Sequence, residues 1–281
     1  MVFRFSRAYI RFAVCISLLA CLLALISFPQ AAHSEDKNSV TFDTARFTLH
    51  FESTERNQQI GGLSRENIAK ISLDTLNSTA EELSRIFQAK PHKKVVLRFL
   101  SPKEFRRQTG APSWTSAMYF RDEITIPLSN REGVDVTELR RALRHEYVHA
   151  FIAELSDYNC PAWLDEGIAQ LLEGQPNPLL GPALRKWVNN NSAIPLSMLK
   201  NGFTTMSKAY VPAAYAQSLF ATRKIVHRLG FSSITLYLKQ LGAKASENAA
   251  FVKAFGQKKA EFENELTREM RLWAKSNQLH P

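Results

Sequence analysis

The chain has 281 residues, 45% hydrophobic and 22% charged, which is enough apolar material to bury a sizeable core and excludes a disordered tail or a mini-protein. Its 36 lysines and arginines outnumber 26 aspartates and glutamates, for a formal net charge of +10. The basic residues are spread widely and form no cluster interleaved with aromatics, so the balance suits anionic partners such as an envelope surface or acidic peptides, and no nucleic-acid partner is expected.

The first segment differs in kind from the rest. Arg4, Arg7 and Arg11 precede an almost unbroken apolar run from Phe12 to Phe28, followed by Pro29-Gln30-Ala31-Ala32-His33-Ser34. A basic flank, an apolar middle and a small-residue exit describe a secretory signal over residues 1–34, with cleavage after Ser34 or after Ala32 both open. An uncleaved signal anchor is the alternative. The expected location is therefore exported, periplasmic or secreted, with membrane association if the segment is retained. Cys21 lies inside the apolar run rather than at its end, which argues against lipidation there. With Cys15 and Cys21 in this segment, Cys160 is alone in the mature chain, so no internal disulfide is expected and its thiol reads as a small buried apolar group.

Residues 35–134 read as an α/β part. From Val40 to about Glu52, the residues Phe42, Phe47, Leu49 and Phe51 alternate as a strand or hairpin does. After a turn at Gly61-Gly62, Ser64 to Gln88 shows helical spacing through Ile68, Ile71, Leu76, Ala80, Leu83 and Phe87, with a break allowed near Asn77. Lys94 to Leu100 reads as a buried strand, and Met118 to Leu128 as a hairpin turning at Arg121-Asp122-Glu123.

Residues 135–281 change character to long amphipathic segments punctuated by Gly and Pro, which predicts an all-helical part. Asp135 starts a helix as its capping residue, with Glu138 placed to reach back. That helix contains His145-Glu146-Tyr147-Val148-His149, a match to His-Glu-x-x-His, within an apolar setting of Leu139, Leu143, Val148, Phe151, Ile152 and Leu155. Residues four apart share a helix face, so His145 and His149 can converge on one ion. Glu146, displaced by about 100° from His145, is placed to act on the attacking water instead. A tetrahedral site needs a third protein ligand from another element. Ile152 and Leu155 stand where a metzincin would carry Gly and His, which excludes that class. The next helix opens at Pro161 and runs through Trp163-Leu164-Asp165-Glu166-Gly167 to Gly174, so that Glu166 can be brought back across the metal. Asp165 is expected to point elsewhere on that helix. Gln170, one turn after Glu166, is either an acceptor for a ligand imidazole or a plain exposed residue.

These residues resemble the gluzincins of the aminopeptidase-N type and the shorter peptidase-MA-like envelope proteins, which carry His-Glu-x-x-His and then a ligand Glu in a Trp-Leu-x-Glu-Gly helix. The resemblance covers about residues 117–230 and has a slightly shorter spacer here. It implies an α+β, zincin-like fold with a β-containing N-terminal lobe and a helical C-terminal lobe. It also implies Zn2+ as cofactor, His145, His149 and Glu166 as its ligands, and Glu146 as general base. In that family a downstream Tyr-Glu-Lys-Gly segment supplies a tyrosine to the oxyanion. Here Tyr215-Ala216-Gln217-Ser218 keeps the tyrosine and loses the Glu-Lys pair, which makes Tyr215 the expected donor, with Tyr210 the poorer alternative. The Gly-x-Met-Glu-Asn segment that holds a free amino terminus is replaced by Ser116-Ala117-Met118-Tyr119-Phe120, so aminopeptidase action is not implied. The expected activity is hydrolysis of peptide or protein substrates, with Glu123 to Leu128 offering a strand for the substrate to join. Alternatives are a non-catalytic zinc-binding envelope scaffold and an amide hydrolase acting on a cell-wall link.

Overall fold

The computed structural model describes residues 40–51, 59–111, 115–129, 133–175, 177–203, 206–207 and 209–276. The signal expected over residues 1–34 lies outside them. The described residues belong to one compact unit, Lys37–Pro281.

The N-terminal part is a mixed sheet. β1 (Val40–Asp43), β2 (Phe47–Phe51), β3 (Val95–Leu100), β4 (Met118–Phe120) and β5 (Glu123–Pro127) stand in the order β1-β2-β3-β5-β4. The β2/β3 and β3/β5 pairs are parallel, and both outer pairs are antiparallel. The alternation read in the sequence places Phe47, Leu49 and Phe51 on the buried face beside Val95, Leu97 and Phe99, with Phe51 stacked on Phe99 at 4.6 Å between ring centroids. Arg121 and Asp122 turn the β4–β5 hairpin with positive φ values of 47° and 66°, matching the primed turns that follow strand twist. One expectation is corrected by strand order. β5 is paired on both sides, by β3 and β4, so the segment from Glu123 has no free edge; among the described strands the free edge on this side is β4.

α1 (Arg65–Phe87) crosses from β2 to β3 as one helix without a break at Asn77, capped by Ser64. The sequence reading gave no element to Pro102–Thr109, which is helix α2; Ser101 as cap, Pro102 in the first turn and Gly110 as left-handed stop are the signals that mark it. α3 (Val136–Ser156) carries the His-Glu-x-x-His segment beneath the sheet, where Tyr147 meets Phe47 edge to face at 5.4 Å. Asp135 caps it through the amides of Thr137 and Glu138, but the Glu138 side chain turns to Arg141 instead of reaching back.

The helical part continues with α4 (Ala162–Leu172), α5 (Leu180–Val188), α6 (Val211–Gly242), α7 (Glu247–Phe255) and α8 (Lys259–Ala274). Gly230, at φ 72°, kinks α6. The stripe Phe262, Leu266, Met270 and Trp273 is buried, as its spacing predicts.

α4 is held from several sides. Its first amides, on Ala162 and Trp163, donate to the carbonyls of Lys200 and Leu199, and its last carbonyl, on Leu172, accepts from the Arg144 guanidinium of α3. On the opposite flank, Gly167 sits so close to α6 that an added Cβ would lie 2.1 Å from Thr222 Oγ1 and 2.4 Å from the Ser218 carbonyl oxygen. The helices touch through backbone here, so the glycine is a packing requirement. Gly167→Ala is expected to destabilise the fold by about 2 kcal/mol, lowering Tm by roughly 5 °C in a domain of this size. A thermal melt indistinguishable from wild type would contradict this reading of the interface.

Candidate metal centre

One helical turn on α3 sets the imidazoles of His145 and His149 on a common face, ring centroids 4.9 Å apart. α4 brings Glu166 over them, with its Oε2 3.5 Å from His145 Nε2 and 3.8 Å from His149 Nε2. Three ligand atoms, one from each residue, lie within 4.8 Å of one another. A tetrahedral site with bonds of about 2.1 Å has ligand-to-ligand edges of about 3.4 Å, so the separations fit a small divalent cation. Glu166 Oε2 is buried and has no hydrogen-bond partner, a costly state for a carboxylate oxygen unless a cation meets it. The residues therefore fit a metal of the zinc kind by geometry and by donor chemistry.

The opposite edge of each ring faces a carboxylate. His145 Nδ1 is 2.9 Å from Glu173 Oε2, and that oxygen also takes a hydrogen bond from Arg141 Nη1 at 2.8 Å. Glu173, at the end of α4, is almost wholly buried, and the sequence reading missed it. His149 Nδ1 lies 2.9 Å from Asp165 Oδ1, an ion-pair distance though poorly aligned for a hydrogen bond. Asp165 therefore faces the centre, contrary to expectation, because the two helices cross at an angle that turns it toward His149. Gln170 is corrected as well. Its amide donates to the Glu166 and Tyr215 carbonyl oxygens and tethers α4 to α6 instead of meeting an imidazole.

Glu146 is buried next to the two rings. Burial raises its pKa, against the charges of the histidines and the nearby main-chain amide of Tyr119 on edge strand β4. Tyr215, in the first turns of α6, is half-buried with its ring against Phe203 at 4.9 Å. Burial, then the charges of Glu166 and Glu146, push its pKa far up, so its hydroxyl stays protonated beside Glu166. Tyr210 packs instead on Trp187, at 5.2 Å. Cys160 is half-buried, and burial followed by the Asp165 charge raises its thiol well above the ordinary value, consistent with an inert side chain.

The Peptidase MA superfamily profile matches residues 108–271, more than half of the chain and a span that includes every residue of this centre. The chain belongs to that superfamily, which bears out the resemblance to gluzincin-type, peptidase-MA-like proteins and gives the protein a metallopeptidase-like character. Among solved structures, one match is a mutant M1 zinc metallopeptidase of Deinococcus radiodurans bound to a Tyr-Ser-Ala substrate. It is 13% identical, with a TM-score of 0.40, over 86% of this chain and 53% of that one, so the present chain spans about half its length. No curated protein matches.

The electrostatics of the centre lead to a measurable consequence. Burial opposes charge on His145, but Glu166 and Glu173 outweigh it and raise its pKa well above the ordinary value; at His149, Asp165 and Glu166 likewise outweigh burial, to about 9. Ligand imidazoles have to be neutral, so a cation displaces these protons. The raised pKa values mean that affinity grows as pH rises toward about 9 and weakens as pH falls, with up to two protons released per ion at neutral pH. Calorimetric titration in buffers of different ionisation enthalpy measures this; binding without proton release would contradict it. Glu173→Ala should lower metal affinity by roughly ten- to a hundredfold in chelator competition, because the ring of His145 loses its orienting acceptor.

Proposed function

We propose that this protein is a zinc-dependent peptidase, with His145, His149 and Glu166 holding the metal, Glu146 acting as general base and Tyr215 donating to the oxyanion. The observation that carries the reading is the buried, unpartnered Glu166 oxygen facing two imidazoles, beside a further buried carboxylate, Glu146, that is free to handle a proton. A bound zinc supplies Lewis acidity, which acidifies water and polarises a carbonyl.

The chain's own residues supply the rest. Burial makes Glu146 a stronger base than an exposed carboxylate, suited to take a proton from the attacking water and return it to the leaving amine. Tyr215, kept protonated by its surroundings, has a hydroxyl proton to donate at neutral pH, which suits a group that meets developing negative charge. The free edge of β4, from Met118 to Phe120, offers an extended peptide main-chain partners beside Glu146. A general base at a metal centre favours this reading over a zinc-stapled scaffold, which has no use for one.

Glu146→Gln is expected to retain zinc and the fold while losing turnover by several orders of magnitude, and Tyr215→Phe to lose about a hundredfold. Undiminished peptide cleavage by Glu146→Gln, or full complementation of a deletion strain by it, would decide against the enzyme. Export is part of the same proposal, resting on the order of basic, apolar and small residues in positions 1–34. A reporter fused after the C-terminus should be active only beyond the cytoplasm; full-length chain soluble in the cytoplasm would overturn it. Among the described residues no helix is long and apolar enough to cross a membrane.

A further inference from the structure

A cavity of about 660 Å³ opens between the β4–β5 turn and the segment joining α3 to α4. It adjoins the centre, since two of its lining residues are Asp165, which faces His149, and Tyr119, whose amide lies near Glu146. Its floor follows the α3 stripe beyond the metal-binding residues, through Ala153 and Ser156, which are one and two turns past His149. These floor residues are small, and the walls carry the aromatic residues Tyr119, Phe120 and Tyr158.

The two walls are tied together. The Tyr158 hydroxyl donates to Asp122 Oδ1 at 2.6 Å, the Tyr119 hydroxyl donates to the same oxygen at 3.1 Å, and Lys93 Nζ stands 3.6 Å from Asp122 and 4.3 Å from the Tyr158 ring centroid. The Asp122 charge is thus already met by two hydroxyls and an ammonium, and Asp165 is turned to His149. What these walls leave for an incoming group is mainly aromatic surface above the small Ala153 and Ser156, with the Cys160 thiol beside it and the Arg121 guanidinium lying over the Phe120 ring at 5.2 Å. The volume exceeds that of any single side chain and falls in the range of built ligand pockets.

We infer that this cavity is the specificity pocket of the proposed peptidase and takes a large aromatic side chain flanking the scissile bond. The inference rests on the peptidase reading, and its test separates the two. The zinc-loaded Glu146→Gln protein is titrated with fluorescent alanine-based peptides in which one position at a time carries phenylalanine. One position is expected to raise affinity about tenfold or more over alanine, as burial of an aromatic ring implies.

Ala153→Phe, which fills the floor, should bring that ratio close to one, with zinc content as in the parent. Tyr158→Ala, at an exposed position, should lower it as well, with zinc content as in the parent. A ratio that survives Ala153→Phe, the absence of any aromatic-preferring position, or no peptide binding at all overturns the pocket. Wild-type protein is scored on the same peptides for cleavage. Aromatic preference without cleavage overturns the hydrolytic reading and supports the pocket, whereas cleavage without aromatic preference overturns the pocket alone.

Discussion

The approach of α4 to α3 is the constraint on which the centre depends. Glu166 can reach the two imidazoles only if its helix crosses α3 at close range and in one register, and several contacts enforce that register. The carbonyls of Leu199 and Lys200 hold the start of α4, the Arg144 guanidinium holds its end, and Gln170 ties its middle to Tyr215. Gly167 lets α6 press its backbone against the far side. The Gly that follows Glu166 in the sequence thus does its work about 100° around the helix, where a methyl group would push α4 off α6 and shift Glu166 relative to the histidines.

A second consequence of this approach is electrostatic. Glu146, Asp165, Glu166 and Glu173 are all gathered around His145 and His149, with Arg141 as the cation closest to Glu173. Carboxylates in so little water need compensating charge. The surrounding carboxylates favour protons on the imidazoles, which is why both rings stand above their ordinary pKa despite burial. A divalent cation held by His145, His149 and Glu166 would give the same compensation. The stack from Arg141 through Glu173 to His145 then sets ring orientation as well as charge, since a carboxylate shared by a guanidinium and an imidazole cannot rotate freely.

The sheet contributes through its edge. The parallel run of β2, β3 and β5 packs against α1 and α3, and β4 turns back antiparallel to leave its outer side facing the centre. The tight turn at Arg121 and Asp122 holds the strand that carries Tyr119 and Phe120, so one hairpin provides both a main-chain amide near Glu146 and the aromatic wall of the adjoining cavity.

Local patterns in the sequence determined most of the elements and the pairing of His145 with His149 on one helix face. Period-two alternation marked the phenylalanines of β2, helical spacing marked α1 and the C-terminal stripe, and the i, i+4 rule put His145 and His149 on one face, because each of these depends only on the repeat of a single element. What surrounds the ligands was decided by tertiary structure. Asp165 and Glu173, not Gln170, face the imidazoles, since that outcome depends on the angle at which α4 crosses α3 and no periodicity within either helix encodes an angle between them. Strand order is of the same kind: β4 and β5 read alike as sequence, and only the pairing of β5 with β3, across a connection through α2, left β4 with the open edge.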